Sequence, residues 1–319
     1  MVQEIKPITS DGGKPGKIIA VGGAKGGIGK SLFVANLGVF LSRLGKRTVV
    51  VDLDLGGANL HLYMGVWSLS HRLDDFLTKR VATLDETMTP TKFGPLLIGG
   101  GGGKLGAANI PFARKLKLLR ALRTIDADYV ILDLGGDTTY NILDFYLAAD
   151  QGLVLTTCEP ASYVDAYGFI KMSLHRKLIR LFSAESKYRK HRDSEVERMI
   201  NDFIFANAST NGNHLDELVA GLGEQHPTHQ TLLKKVLADS RQATVVTMVE
   251  AKEQASELVT RLKKVTDKML SIGLDHFGNV PYDKQIQASA RDLVPNVTQN
   301  PNGTFANALR RIVLKMEMA

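Results

Sequence analysis

Residues 17–31 read Lys17-Ile18-Ile19-Ala20-Val21-Gly22-Gly23-Ala24-Lys25-Gly26-Gly27-Ile28-Gly29-Lys30-Ser31. An apolar run passes straight into a glycine-rich segment that closes on Gly-Lys-Ser. The run is a buried strand, and the glycines let the backbone wrap tightly enough for successive N–H groups to face one anion. The helix that follows adds the positive end of its dipole. This is the pattern of a loop that cradles nucleotide phosphates. In it Gly26, Gly27, Ile28, Gly29, Lys30, Ser31 and Leu32 line the phosphates, Lys30 reaches the β- and γ-phosphates, and the Ser31 hydroxyl ligates Mg²⁺. Ala24 stands where the ordinary pattern has glycine, so the backbone there must suit a Cβ.

Further along, two apolar strands end in aspartate. Val50-Val51-Asp52-Leu53-Asp54 is followed by Leu55-Gly56-Gly57, and Tyr129-Val130-Ile131-Leu132-Asp133 by Leu134-Gly135-Gly136-Asp137. Carboxylates at strand ends of an open α/β sheet face the ligand crevice. Asp52 and Asp54 have period-two spacing and point to one side. Asp133 reads as the acid that holds Mg²⁺ through water, because Mg²⁺ keeps much of its hydration.

The extra lysine inside the loop, in Lys25-Gly-Gly-x-Gly-Lys-Ser, resembles the deviant phosphate-binding loop of the MinD/ParA ATPases. Leu105-Gly106-Ala107-Ala108-Asn109, Leu147-Ala148-Ala149-Asp150 and the stretch Thr157 to Tyr167 are similar to the MinD-like branch that contains the flagellar-placement regulators. Gly278-Asn279-Val280-Pro281-Tyr282-Asp283 is similar to that family's adenine-side loop. The resemblance spans residues 17–175 and 243–316. It implies ATP and Mg²⁺ as ligands, ATP hydrolysis, and an ATP-dependent homodimer in which Lys25 reaches the partner's phosphates. It implies that Asp54 orients the attacking water, that Asp52 lies near the Mg²⁺ shell, that Gly135 senses the γ-phosphate, and that Pro281 and Asp283 lie beside the base. Two positions depart from the family. Asp137 replaces a glycine near the γ-phosphate, where a carboxylate repels. Thr247 stands where an asparagine often meets adenine.

Apolar residues make up 44% and charged residues 23% of the 319, enough for a sizeable core. The single cysteine, Cys158, excludes a disulfide framework and any cysteine-rich metal site within one chain. No stretch has the length and apolarity of a membrane span, and Met1–Lys17 has no signal core. The expected location is the cytoplasm, with peripheral contact at the inner membrane face left open. The formal charge of +7 permits an anionic partner, and basic residues crowd 175–192. A solvated helix face with a basic loop is the favoured reading of that cluster.

Strand-like runs at Lys17–Gly22, Thr48–Leu53, Pro95–Ile98, Tyr129–Leu134, Gly152–Thr157 and Thr244–Val249, with a shorter one ending at Val280, alternate with helical segments at Ser31–Leu44, Ala113–Arg123, Tyr140–Ala148 and Lys252–Leu270. The alternation predicts an α/β fold, a doubly wound and mostly parallel sheet with helices on both faces. Residues 1–16 read as a loose tail, 17–319 as a single nucleotide-binding domain, and 171–242 as a helical insertion upon it. Gly99–Gly103 reads as a flexible surface loop. The last segment, Phe305–Met316, resembles the membrane-binding helix that ends MinD proteins, and a final core helix is the favoured reading.

The expected function is an ATP-driven dimerisation switch that positions a cell-pole or surface-organelle machine such as a flagellum, a pilus or a division site, acting with a protein activator or cargo. The alternatives are a partition ATPase that binds nonspecific DNA, and a nucleotide-binding scaffold with little turnover.

Overall fold

The computed structural model describes residues 16–23, 26–101, 110–183, 186, 188–207, 215–223 and 225–318. The strands are β1 Lys17–Gly22, β2 Thr48–Leu53, β3 Met88–Pro90, β4 Leu96–Ile98, β5 Tyr129–Leu134, β6 Gln151–Thr157, β7 Arg241–Val249 and β8 Gly273–Pro281. They form one sheet in the order β3-β4-β2-β5-β1-β6-β7-β8, and only the β3–β4 pairing is antiparallel. The expected doubly wound, mostly parallel sheet is therefore observed. β1, β2 and β5 are buried almost throughout, as their unbroken apolar sequences require of strands covered on both faces.

Alternate strand residues feed two cores. Ile19, Val21, Val50, Ile131 and Leu153 face helices α1 (Lys30–Arg43), α11 (Lys284–Arg291), α12 (Asn296–Gln299) and α13 (Thr304–Met318). Ile18, Ala20, Val49, Val51, Val130 and Val154 face the other layer. That layer holds α3 (Leu73–Leu77), α4 (Phe112–Arg123), α5 (Tyr140–Ala148), α6 (Pro160–Ile179) and α10 (Lys252–Leu270). α7 (Ser194–Ala206), α8 (Leu215–Gly221) and α9 (Pro227–Ala238) join the same cluster through Val196, Ile200, Leu218 and Leu233. The short α2 (Leu60–Tyr63) follows the aspartates of β2.

Several boundaries differ from the sequence reading. α6 continues to Ile179 because Ser173, Leu174, His175 and Leu178 are buried on its core face, and β7 begins at Arg241. The stretch that interrupts the alternation is thus 180–240, not 171–242. β8 is a nine-residue edge strand. β3 has no counterpart in the sequence reading, so the strand ending in Asp133 and Leu134 is fifth in the chain.

The glycines after β4 are not a flexible surface loop over 99–101. All three are buried. A Cβ on Gly100 would lie 3.0 Å from the Asp52 carbonyl oxygen and 2.7 Å from the Ala58 Cβ. Only glycine lets β4 run this close behind the end of β2. Gly102 and Gly103 lie outside the described residues, as do residues 1–15, Ala24, Lys25, the Leu105–Asn109 segment and residues 208–214.

α13 buries Phe305, Ala306, Ala308, Leu309, Ile312, Val313 and Met316 against the sheet. Lys17 Nζ also donates to the Met316 carbonyl. This helix is a core element. No helix among the described residues is long and apolar enough to cross a membrane.

Candidate functional site

The loop after β1 makes its turns with left-handed glycines, at φ +80° for Gly27 and +85° for Gly29. Gly29 is the N-cap of α1, and the Phe33 N–H closes the first helical turn on its carbonyl at 2.8 Å. No acidic residue occupies the first turn of α1 itself. A Cβ on Gly26 or Gly27 would meet nothing within 4 Å. The backbone there faces open space that a ligand can enter.

Lys30 is buried at the start of α1. Burial lowers its pKa, opposed by the charges of Asp133, Asp54 and Asp137. The lysine therefore stands among three carboxylates drawn from two strand ends.

Asp52 and Asp133 are paired in register on the neighbouring strands β2 and β5. Both are fully buried. Asp52 accepts hydrogen bonds from the N–H groups of Asp54 at 3.1 Å and Leu60 at 3.0 Å, and so ties the chain after β2 back to the strand end. Burial pushes its pKa up to about 7, against those hydrogen bonds. Both oxygens of Asp133 lack a hydrogen-bond partner of ordinary geometry. Its pKa is raised well above the carboxylate range, first by burial and then by Asp52, while Ser31 and Lys30 pull the other way. An orphaned buried carboxylate beside a hydroxyl and a second carboxylate is a hard-oxygen donor set, the kind that Mg²⁺ prefers. Asp133, Ser31 and Asp52 therefore fit a divalent cation. A triphosphate would bring still more negative charge to a site that already holds Asp52, Asp54, Asp133 and Asp137.

Asp54 points across the crevice. Its Oδ1 accepts the N–H groups of Gly57 at 2.9 Å and Gly56 at 3.3 Å. A Cβ on Gly135 would lie 3.4 Å from the same oxygen. The segments after β2 and β5 thus meet at Asp54 and Gly135. Asp137, exposed beyond them, accepts the Thr139 N–H and Oγ1–H, both at 2.8 Å. That accounts for a carboxylate where the family has glycine: it sets the turn into α5.

Thr247 is likewise explained. It is buried, and its hydroxyl lies 2.9 Å from the Ile28 carbonyl and 3.2 Å from that of Thr156. It anchors the phosphate loop to the sheet. The next residue, Met248, has φ +54° and is 43% exposed. Its Cε lies 3.8 Å from where a Gly29 Cβ would be. Pro281 ends β8 rather than lying in a loop. The Asp283 carboxylate is committed to capping, with Oδ1 accepting the Gln285 N–H at 2.8 Å and Oδ2 the Thr304 hydroxyl at 2.7 Å. The structure thus gathers Gly26 to Leu32, Asp52, Asp54, Asp133 and Gly135 at one sheet end. Lys25 lies outside the described residues. The anchoring role of Thr247 is not legible in the sequence, because its partners are 219 and 91 residues away.

Residues 19–295 match the model of the CobQ/CobB/MinD/ParA nucleotide binding domain. The chain belongs to this family. Among curated relatives, it is 23% identical over 305 residues to the antiactivator FleN of Pseudomonas aeruginosa, covering 95% of this chain and 87% of FleN. It is 32% identical over 163 residues to the flagellum site-determining protein YlxH of Helicobacter pylori, covering about half of each (50% and 55%). Among solved structures, MinD of Pyrococcus horikoshii complexed with Mg-ADP superposes with a TM-score of 0.60 at 17% identity, covering 94% of this chain and 95% of that one. The likeness to MinD is one of fold.

Proposed function

We propose that this chain is an ATP-driven dimerisation switch of the MinD/ParA type that hydrolyses ATP and helps position a surface organelle. The observation that carries this reading is the orphaned carboxylate of Asp133. It sits beside Ser31, Lys30 and Asp52 at the mouth of an open glycine loop. In this reading the N–H groups of Gly26 to Leu32 bind the phosphates, and Lys30 neutralises the β- and γ-phosphates from within its own subunit. Ser31, Asp133 and Asp52 hold Mg²⁺, which supplies charge neutralisation of the phosphates. Asp54 orients the attacking water, and Gly135, against which Asp54 packs, senses the γ-phosphate. Lys25 reaches the phosphates of a partner subunit. Pro281 and Asp283 flank the base through their backbone, since the Asp283 side chain is otherwise engaged. Residues 17–319 act as one domain, with 180–240 inserted on it, in the cytoplasm.

Surface-organelle placement is favoured over DNA partition because one of the relatives is a flagellum site-determining protein. Membrane contact, where it occurs, would need a surface other than the buried face of α13.

The test is Asp54→Ala. The variant is expected to bind ATP as the native chain does, to lose phosphate release, and to run as a dimer with ATP in size-exclusion chromatography. A monomer that still releases phosphate at the native rate overturns the assignment. ATP-dependent binding to DNA that weakens steeply with salt would return the partition reading to favour.

A further inference from the structure

Beyond the nucleotide site, a second cluster of charged side chains lies on the far side of the turn after β5. Asp144, on α5, is fully buried and faces three cations. Lys115 of α4 donates to its Oδ2. Arg176 of α6 grips it with both arms, Nε to Oδ1 at 2.8 Å and Nη2 to Oδ2 at 2.9 Å. Arg180 adds Nη1 to Oδ1 at 2.9 Å. One carboxylate neutralises one positive charge. Lys115, Arg176 and Arg180 share it, so the cluster stays net positive, with Lys115 buried and Arg176 partly exposed.

The cluster lies against a cleft of about 700 Å³ lined by Pro111, Phe112, Lys115, Thr139, Tyr140 and Arg176, among others. None of its described lining residues is acidic. α4 and α5 both begin at this cleft, and neither carries an acid in its first turn, which adds positive potential. Two aromatic rings stand open on its walls, Phe112 at 50% and Tyr140 at 49% exposure. The Arg176 guanidinium lies 4.2 Å from the Tyr140 ring centre, and Lys115 Nζ lies 5.8 Å from that of Phe112. The rings are therefore pinned by cations whose own positions are fixed by Asp144. A guanidinium has five N–H donors and Asp144 takes two of those on Arg176, so the donor set is not exhausted.

We propose that this cleft docks an acidic segment of a partner protein, with an aromatic or aliphatic side chain set between Phe112 and Tyr140 and a neighbouring carboxylate on Arg176. The charge of the walls selects the acid, and the exposed rings select the apolar neighbour. Rigid aromatic and arginine groups are the residues that dominate binding energy at protein interfaces. The cleft abuts the chain immediately after Asp137, so an occupant would touch the turn that leaves the nucleotide site. The docking proposal itself stands without the nucleotide reading.

The experiment measures fluorescence anisotropy of a labelled hexapeptide of alternating aspartate and phenylalanine on the full chain. Its twin has lysine in place of aspartate. Saturable binding of the acidic peptide is expected, with the twin at least about tenfold weaker. Phe112→Ala, Tyr140→Ala and Arg176→Gln should each weaken binding about tenfold or more. Arg189→Gln, in the basic stretch elsewhere, should leave it unchanged. Phe112→Ala removes a half-exposed ring and keeps the test valid should Arg176→Gln unfold. The proposal is overturned by no saturable binding, by equal binding of the two peptides, by equal binding to the Phe112→Ala variant, or by displacement with inorganic phosphate at matched concentration, which would mark a simple anion site.

Discussion

Replacing Asp133 with asparagine should stabilise the metal-free protein at neutral pH and remove its response to Mg-ATP. Asp133 and Asp52 are buried side by side, and burial raises both pKa values, that of Asp52 from 3.8 to about 7. At pH 7 the folded chain therefore holds a proton on the pair that the unfolded chain has released. For an acid whose folded pKa is raised, stability is complete below the unfolded pKa and declines as pH climbs toward the folded one. The decline is about 1.36 kcal/mol per pH unit for each proton held. For Asp52 the interval from 3.8 to 7 amounts to about 4 kcal/mol, and Asp133 adds a cost of the same sign. The amide of the Asp133→Asn variant would need no proton but would be buried with no partner, at a cost of about 1–3 kcal/mol, and Lys30 would lose a facing charge. The net expectation is a variant more stable than the native chain at pH 7, with an advantage that shrinks or reverses at pH 5, because the raised pKa of Asp133 costs more the further pH rises. Urea titration of both proteins in chelator, at the two pH values, reads this directly. With Mg-ATP at about 100 times its Kd the native protein should gain roughly 2.7 kcal/mol, and the variant far less. A variant less stable than the native chain at pH 7 in chelator, or a difference that does not change with pH, would refute the argument.

Lys30→Ala removes the one charged donor described within the phosphate loop, a contact of about 1.5–3 kcal/mol, so calorimetry should show ATP affinity down by about tenfold to a hundredfold or more. Unchanged affinity would take Lys30 out of the site. Thr247→Val keeps the shape but leaves the Ile28 carbonyl without its hydroxyl. It should cost about 1–3 kcal/mol in urea and weaken ATP binding several-fold. Native ATP affinity in this variant would show that the loop does not depend on that anchor. Asp144→Asn leaves Lys115 and Arg176 facing a neutral group at a buried position and should destabilise by about 3–5 kcal/mol. A loss under about 1 kcal/mol would mean that the cations find solvent.

Much of this molecule is legible in the chain because its main signals are local. A glycine run between an apolar strand and a helix has one economical geometry, and β1, the loop and α1 need only neighbouring residues to specify them. The apolar runs of β2 and β5 are as plain, and their terminal aspartates inherit a common sheet end from parallel pairing. Short or edge elements are harder to read. β3 is three residues and α3 five, too few for a period to declare itself, and β8 carries His276 and Asn279 on an edge where half the side chains meet water. The end of α6 is hidden in the sequence because its basic residues look solvated, whereas Arg176 is held by Asp144 of another helix. What only the tertiary structure decided are the contacts between distant positions. The register that sets Asp52 beside Asp133 leaves one of them without a partner. The packing of Gly99–Gly101 behind β2, the Thr247 hydroxyl under the phosphate loop, and the gathering of Lys115, Asp144, Arg176 and Arg180 are of the same kind. Each joins residues whose sequence separation carries no pattern. A sequence records local propensity and periodicity, whereas burial of a charge or a hydroxyl depends on which strands and helices pack around it.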